Sequence, residues 1–132
     1  MFSCFLLSMT CRKRETDTCH YTIRVHNDSD IPVYMFISYD YPDTGLNFQR
    51  PLIERLNTEL RPYKIGDVRD ESKCIETKMH DNGAKKLMLF VFDRQLVDST
   101  PWPQIRQNYQ ILKRYEYRMD ELRTLNFELV YP

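Results

Sequence analysis

The chain has 132 residues, with 19 Lys plus Arg and 19 Asp plus Glu, so its formal net charge at pH 7 is zero. This length suits one domain with a buried core. A neutral chain lacks the basic excess typical of nucleic-acid-binding proteins and the acidic excess of a disordered regulator. Only three Gly, beside nine Tyr, seven Phe and one Trp, argue against a linker-dominated chain and favour β structure.

The chain begins with a short apolar run, residues 1–9, and becomes polar directly after Cys11. The run is shorter than the roughly 20 apolar residues of a transmembrane helix, but it fits the apolar region of an export signal. Lipoprotein signals place a small residue before the cysteine, where this chain has Thr10. The sequence predicts a signal end and tether over 1–19, acylated at Cys11, and one globular β-rich domain over 20–132. The alternative is that the apolar run forms a first strand or a buried N-terminal arm.

Four cysteines are present, and their spacing matches no paired zinc-binding motif. They are Cys4, Cys11, Cys19 and Cys74. If Cys4 is removed with the signal and Cys11 is acylated, Cys19 and Cys74 remain as candidates for one disulfide. Such a bond requires an oxidising compartment. The alternative is two free thiols.

Two early segments alternate between apolar and polar side chains, which predicts strands over residues 20–26 and 33–39. A turn cluster over residues 27–30 separates them and predicts an antiparallel hairpin. Residues 52–60 fit a short helix, or an irregular loop with a short strand near its end. Further short strands are predicted over 63–69 and 75–79.

Residues 86–92 are the most apolar segment of the domain and predict a central strand that is covered on both faces. Thr100 and Pro101 predict the start of an amphipathic helix that continues to residue 114. Its apolar positions recur at helical spacing: Trp102, Ile105, Tyr109 and Leu112. They are expected to pack on Leu87, Leu89 and Val91, so that Trp102→Ala costs roughly 3–5 kcal/mol. A second short helix over 119–125 and a last strand over 127–131 follow.

These elements predict a mainly β fold with one packed helix, in an antiparallel β-sandwich-like domain. The alternative is an α+β fold in which the helix covers an open antiparallel sheet.

Three blocks of the sequence resemble the small uncharacterised predicted lipoproteins of Bacteroidota, many of them from gut species. They are Tyr39-Asp-Tyr-Pro-Asp-Thr44, Leu89-Phe-Val-Phe-Asp93, and the segment from Trp102-Pro-Gln-Ile-Arg106 to Leu125-Asn-Phe-Glu-Leu-Val-Tyr-Pro132. The resemblance implies an exported, membrane-anchored protein. It supplies no catalytic residues and no cofactor.

The residues that carry chemistry form no catalytic or metal-binding motif in the sequence. His20, His26 and His80 are scattered, which favours surface histidines over a zinc site. No P-loop, dinucleotide-binding or G-x-S-x-G motif is present, and no cofactor is expected. A carboxylate pair, Asp40 and Asp93, is the candidate for hydrolysis.

Two surfaces are candidates for binding. A basic helix face with interleaved tyrosines would contact nucleic acid through its cations, which are Arg106, Lys113, Arg114 and Arg118. The neutral net charge and the predicted export argue against such a partner. The same tyrosines, together with aromatic residues near the second strand, would line a protein or glycan contact, or pack in the core. They are Tyr109, Tyr115 and Tyr117, with Tyr34, Phe36, Tyr39 and Tyr41.

The sequence therefore favours a non-enzymatic envelope protein that is held at the membrane by a lipid on Cys11 and binds a protein or glycan. A small periplasmic hydrolase that uses the carboxylate pair is the alternative. No nucleic-acid partner is expected.

Overall fold

The computed structural model describes residues 15–48, 59–69 and 72–132. In chain order its elements are β1 (Thr22–Asn27), β2 (Val33–Ser38), β3 (Glu59–Leu60), β4 (Ile65–Arg69), α1 (Ile75–Asp81), β5 (Leu87–Asp93), α2 (Arg94–Ser99), α3 (Trp102–Asn108), β6 (Lys113–Tyr117), α4 (Met119–Thr124) and β7 (Glu128–Tyr131). The predicted mainly β character is confirmed, and the described residues also contain four short helices. The predicted leader with Cys11, and most of the helix predicted over 52–60, lie outside the described residues.

The strands form two open sheets. The first sheet has the order β4-β1-β7, in which β1 is antiparallel to β4 and parallel to β7. The second sheet has the order β3-β2-β5-β6, and all its neighbours are antiparallel. The first sheet is therefore mixed, because it contains one antiparallel and one parallel pair. The parallel pair of β1 and β7 differs from the antiparallel arrangement that the sequence predicted.

The predicted hairpin of β1 and β2 is wrong, because the two strands belong to different sheets. Their apolar side chains instead share one buried cluster, to which Ile23 and Val25 of β1 and Val33 and Met35 of β2 contribute. The backbone groups of β1 form hydrogen bonds with β4 and β7. Its contact with β2 is therefore made by side chains and not by the backbone. The strands themselves lie where the alternation predicted them.

Asn27 fixes the turn by which the chain leaves the first sheet for the second. Its side chain is fully buried. The amide nitrogen donates to the carbonyl oxygens of Ile31 at 2.9 Å, Leu60 at 3.1 Å and Arg61 at 3.2 Å. The amide oxygen accepts from the backbone N–H of Ser29 at 3.0 Å. One buried amide thus satisfies carbonyl groups from two chain segments that would otherwise be costly to bury.

The central strand β5 is buried on both faces, as its continuous apolar run predicted. Strand alternation divides its side chains between two clusters. Leu87, Leu89 and Val91 face the cluster shared with the first sheet. Met88, Phe90 and Phe92 face a second cluster, which includes Val97 of α2 and Ile105 of α3. The prediction that α3 packs on Leu87, Leu89 and Val91 is therefore wrong, since Ile105 belongs to the cluster on the opposite face of β5.

The helix predicted over residues 101–114 ends early. α3 stops at Asn108, and Tyr109 adopts a left-handed conformation with φ of 50°. The following residues form β6, which pairs along the free edge of β5 and satisfies backbone groups that a longer helix would leave open.

The core positions predicted for that helix are consequently only partly correct. Ile105 is fully buried and Trp102 is half-buried. Tyr109 and Leu112 are 39% and 44% exposed, so their assignment to the core is wrong. Both lie beyond the end of the helix, where the helical spacing no longer determines which side a residue faces.

Residues 75–79, predicted as a strand, are helical in α1. Ile75 and Met79 are both buried and lie four positions apart, which places them on one face of a helix. The predicted last helix and last strand correspond to α4 and β7 and are confirmed.

Candidate functional site

A disulfide joins the segment before β1 to the start of α1. Cys19 and Cys74 are separated by 55 positions in the sequence, and their Cα atoms lie 5.3 Å apart. Cys74 is the residue directly before α1 and is buried. The bond fixes the place where the predicted tether would enter the domain, a region that we call the N-terminal junction (Cys19, His20, Cys74, Ile75 and Glu76).

The same junction is held by a histidine and a glutamate. The Nδ1 atom of His20 lies 2.5 Å from the Oε1 atom of Glu76, and the backbone N–H of His20 donates to Oε2 at 2.8 Å. The carbonyl oxygen of His20 accepts from the backbone N–H of Ile75 at 2.7 Å. The His20 ring stacks on Phe127, with 3.8 Å between centroids. His20, expected at the surface, is therefore a structural contact between the N-terminal segment and α1.

A pocket of about 370 Å³ opens beside this junction, between α1 and α4. Glu76 and Met79 of α1 line one side, and Met119 and Arg123 of α4 line the other. The rest of the lining comes from the end of α1 and the turn that follows it: His80, Gly83, Ala84 and Lys85. Met79 is buried and Met119 is half-buried, so they form the apolar floor, while Lys85 and Arg123 are exposed at its edge.

No pattern in the sequence indicated this pocket. Its walls come from two short helices, and one of them was predicted as a strand. Glu76 and Met79 are three positions apart in α1, and they share one face only because this segment is a helix and not the predicted strand.

The candidate carboxylate pair for hydrolysis is not assembled. In the register of β2 and β5, Val33 lies opposite Asp93 and Ser38 lies opposite Met88. Asp40 follows β2 at the far end of this pairing, so the two carboxylates lie roughly 20 Å apart at about 3.3 Å per residue. Asp93 instead accepts from the backbone N–H of Gln95 at 2.9 Å and begins α2.

The histidines do not converge on a metal site. In residues 15–48, 59–69 and 72–132, no three His, Cys, Asp or Glu side chains are grouped so as to hold a metal ion. His26 contacts Glu128 on the exposed side of the first sheet. His80 is 91% exposed and lies 3.6 Å from Asp81.

The basic residues considered for nucleic acid do not share a helix face, because α3 ends at Asn108. Arg114 lies in β6, where its Nη1 donates to the hydroxyl of Tyr109 at 2.8 Å. Arg118 pairs with Asp120 at 3.0 Å. The stripe of cations and tyrosines that the sequence suggested is thus divided between a strand, a helix and their connections.

Most of the aromatic residues considered for a binding surface pack in one of the two buried clusters. Tyr34 is 2% exposed, and Phe36 stacks on Phe48 with 4.0 Å between centroids. Trp102 packs against Phe48 and donates its indole N–H to the carbonyl oxygen of that residue at 3.1 Å. The aromatic surplus is therefore used mainly inside the domain.

The outer face of the first sheet exposes apolar side chains instead. Ile65 of β4 and Val130 of β7 are 60% and 52% exposed. Both lie level with His26 of β1, one on each side. The alternation of β1 predicted its polar face, but nothing in the local sequence indicated which strands would flank it.

No helix in the described residues combines the length and the apolar character that crossing a membrane requires. No protein-family model, curated protein or solved structure matches this chain. What the domain does is therefore argued from its own contacts.

Proposed function

We propose that this chain is a non-enzymatic, exported envelope protein, anchored by a lipid on Cys11, whose domain binds a protein or glycan partner. The observation that supports export most strongly is the disulfide between Cys19 and Cys74. Disulfides persist in oxidising compartments such as the bacterial periplasm and the cell surface, and they are rare in the cytosol. The resemblance of the chain to predicted lipoproteins of Bacteroidota points in the same direction.

The position of the disulfide fits an anchored protein. Only a short stretch separates Cys11 from Cys19, so a lipid on Cys11 would hold the domain close to the membrane surface. Any force on that anchor would reach the domain at the N-terminal junction. There a covalent bond, the contact of His20 with Glu76 and a backbone hydrogen bond connect the segment to α1.

The domain itself is proposed to be a β-sandwich-like unit in which the two sheets face each other and α3 packs on the outside of the second. The cluster that contains side chains of β1, β4 and β7 together with those of β2 and β5 supports the facing sheets. Ile105, in the cluster on the other side of β5, supports the packed helix. In this arrangement no described element covers the outer face of the first sheet, where Ile65 and Val130 are exposed.

The partner is proposed to contact that outer face. Exposed apolar side chains that lie close together on a surface favour association. Ile65 and Val130, on either side of His26, provide such a group. Beside it lies a charged pair, in which Nε of Arg24 is 3.6 Å from Oδ1 of Asp67.

Anchoring is tested by fractionating cells of the native host that express Cys11→Ala. The wild-type protein should sediment with membranes and resist a high-salt wash, because acyl chains contribute about 0.8 kcal/mol per buried methylene. Cys11→Ala should lose the acyl chains and leave the membrane fraction. Cys4→Ala is the matched control, because that cysteine would be removed with the signal, and it should stay with the membranes. If wild type and Cys11→Ala fractionate alike, the proposed anchor is wrong.

A further inference from the structure

The pocket between α1 and α4 carries a charge pattern that the proposed function does not use. Lys85 and Arg123 both line it, and neither has an ion-pair partner among residues 15–48, 59–69 and 72–132. Cations at an apolar pocket are an ordinary means of holding an anionic group.

The carboxylate in the pocket does not cancel this charge fully, because it is already engaged. Both oxygens of Glu76 are bound by His20, one by the ring and one by the backbone N–H. The Glu76 side chain is 13% exposed. The pocket therefore offers two cations without partners in the described residues against one carboxylate that is turned toward the N-terminal junction.

The floor is suited to an apolar chain. Met79 is 7% exposed and Met119 is half-buried, and the half-buried Ala84 also lines the pocket. Methionine side chains are flexible and adapt to apolar ligands of differing shape. A pocket of about 370 Å³ lies in the range of small-molecule sites.

We propose that this pocket binds an amphiphilic carboxylate, whose head group lies between Lys85 and Arg123 and whose hydrocarbon chain covers Met79 and Met119. The inference goes beyond the proposed function, because it rests on the residues of this pocket and not on export or on the partner proposed above. It names a ligand class for a site separate from the outer face of the first sheet.

The test is a titration of the purified chain with octanoate, followed by the NMR signals of the methionine methyl groups. Saturable shifts of Met79 and Met119 are expected at millimolar octanoate, which corresponds to about −4 kcal/mol. Butanoate should bind more weakly, by about twofold or more for each methylene removed from the pocket. Octylammonium, with the same chain and the opposite charge, should not saturate these signals.

Two variants examine the head-group contacts. Lys85→Gln and Arg123→Gln should each weaken octanoate binding by up to about fivefold, the effect of one exposed ion pair, and the double variant should weaken it further. Lys64→Gln and Arg106→Gln remove exposed cations outside the pocket and should bind octanoate as the wild type does.

The proposal is overturned if octanoate produces no saturable shift, if octylammonium binds equally well, or if the double variant binds like the wild type. None of these results bears on membrane fractionation of Cys11→Ala, so failure of the ligand assignment is distinguishable from failure of the proposed anchor.

Discussion

Replacing Cys19 and Cys74 together by alanine should lower the free energy of unfolding by about 4 kcal/mol. The disulfide closes a loop across 55 positions, so its removal restores many conformations to the unfolded chain. The folded state also loses the bond that fixes the N-terminal segment to α1. Urea unfolding, followed by circular dichroism, measures the change.

Reduction provides the control for this double variant. Dithiothreitol should destabilise the wild-type chain by a similar amount and leave the double variant unchanged. Cys4→Ala, which lies outside the loop, should keep the stability of the wild type and its response to reductant. Equal stability of the oxidised wild type and the double variant would show that the bond does not contribute to the fold.

Phe90→Ala should cost roughly 3–5 kcal/mol, and more than Trp102→Ala. Phe90 is fully buried in the middle of β5, whereas Trp102 is half-buried at the start of α3. Removing the Phe90 ring leaves a cavity under Phe48 and Phe92, whose centroids lie 5.5 Å and 6.4 Å away. Thermal and urea unfolding of both variants measure which substitution lowers the free energy of unfolding more.

Leu125→Ala is the matched control for both aromatic substitutions. Leu125 is 42% exposed, so its truncation should change the free energy of unfolding by less than about 0.5 kcal/mol. A larger loss for Trp102→Ala than for Phe90→Ala would contradict the relative burial of these two side chains in the second cluster.

Local sequence patterns predicted correctly those strands in which the order of apolar and polar residues matches the buried and exposed faces. The alternation of β1, the continuous apolar run of β5 and the alternation of β7 each gave the correct element. Such patterns depend only on which face of a segment is apolar, and a short window of sequence contains that information.

The misassigned elements depended on contacts between distant segments. Helical spacing from Trp102 to Leu112 continued past Asn108 by coincidence, while the free edge of β5 drew residues 113–117 into β6. Ile75 and Met79 suit a strand or a helix equally well. The helix is favoured here because Cys74 and Ile75 are held against Cys19 and His20.

The pairing of strands was equally hidden from the sequence. β1 lies beside β7, about a hundred positions later in the chain, and not beside β2, which follows it directly. The candidate carboxylate pair failed for this reason, because two aspartates that both follow strands are brought together only if those strands end at the same edge. In the antiparallel pair of β2 and β5 they end at opposite edges.

Predicting the pocket beside the N-terminal junction requires both the correct assignment of α1 as a helix and the packing of distant segments. Glu76 and Arg123 lie on short helices, and their approach depends on how α1 and α4 pack. The cysteine pairing was easier to anticipate, because setting aside Cys4 and Cys11 leaves two candidates, and the structure joins those two.

The most direct test of export is the mass of the mature protein purified from its native host, with free thiols blocked before lysis. The account predicts a chain that begins at Cys11, carries the added mass of acyl groups, and yields a peptide pair linked through Cys19 and Cys74. An unprocessed chain that retains residues 1–10, with both Cys19 and Cys74 carrying the blocking group, would contradict it.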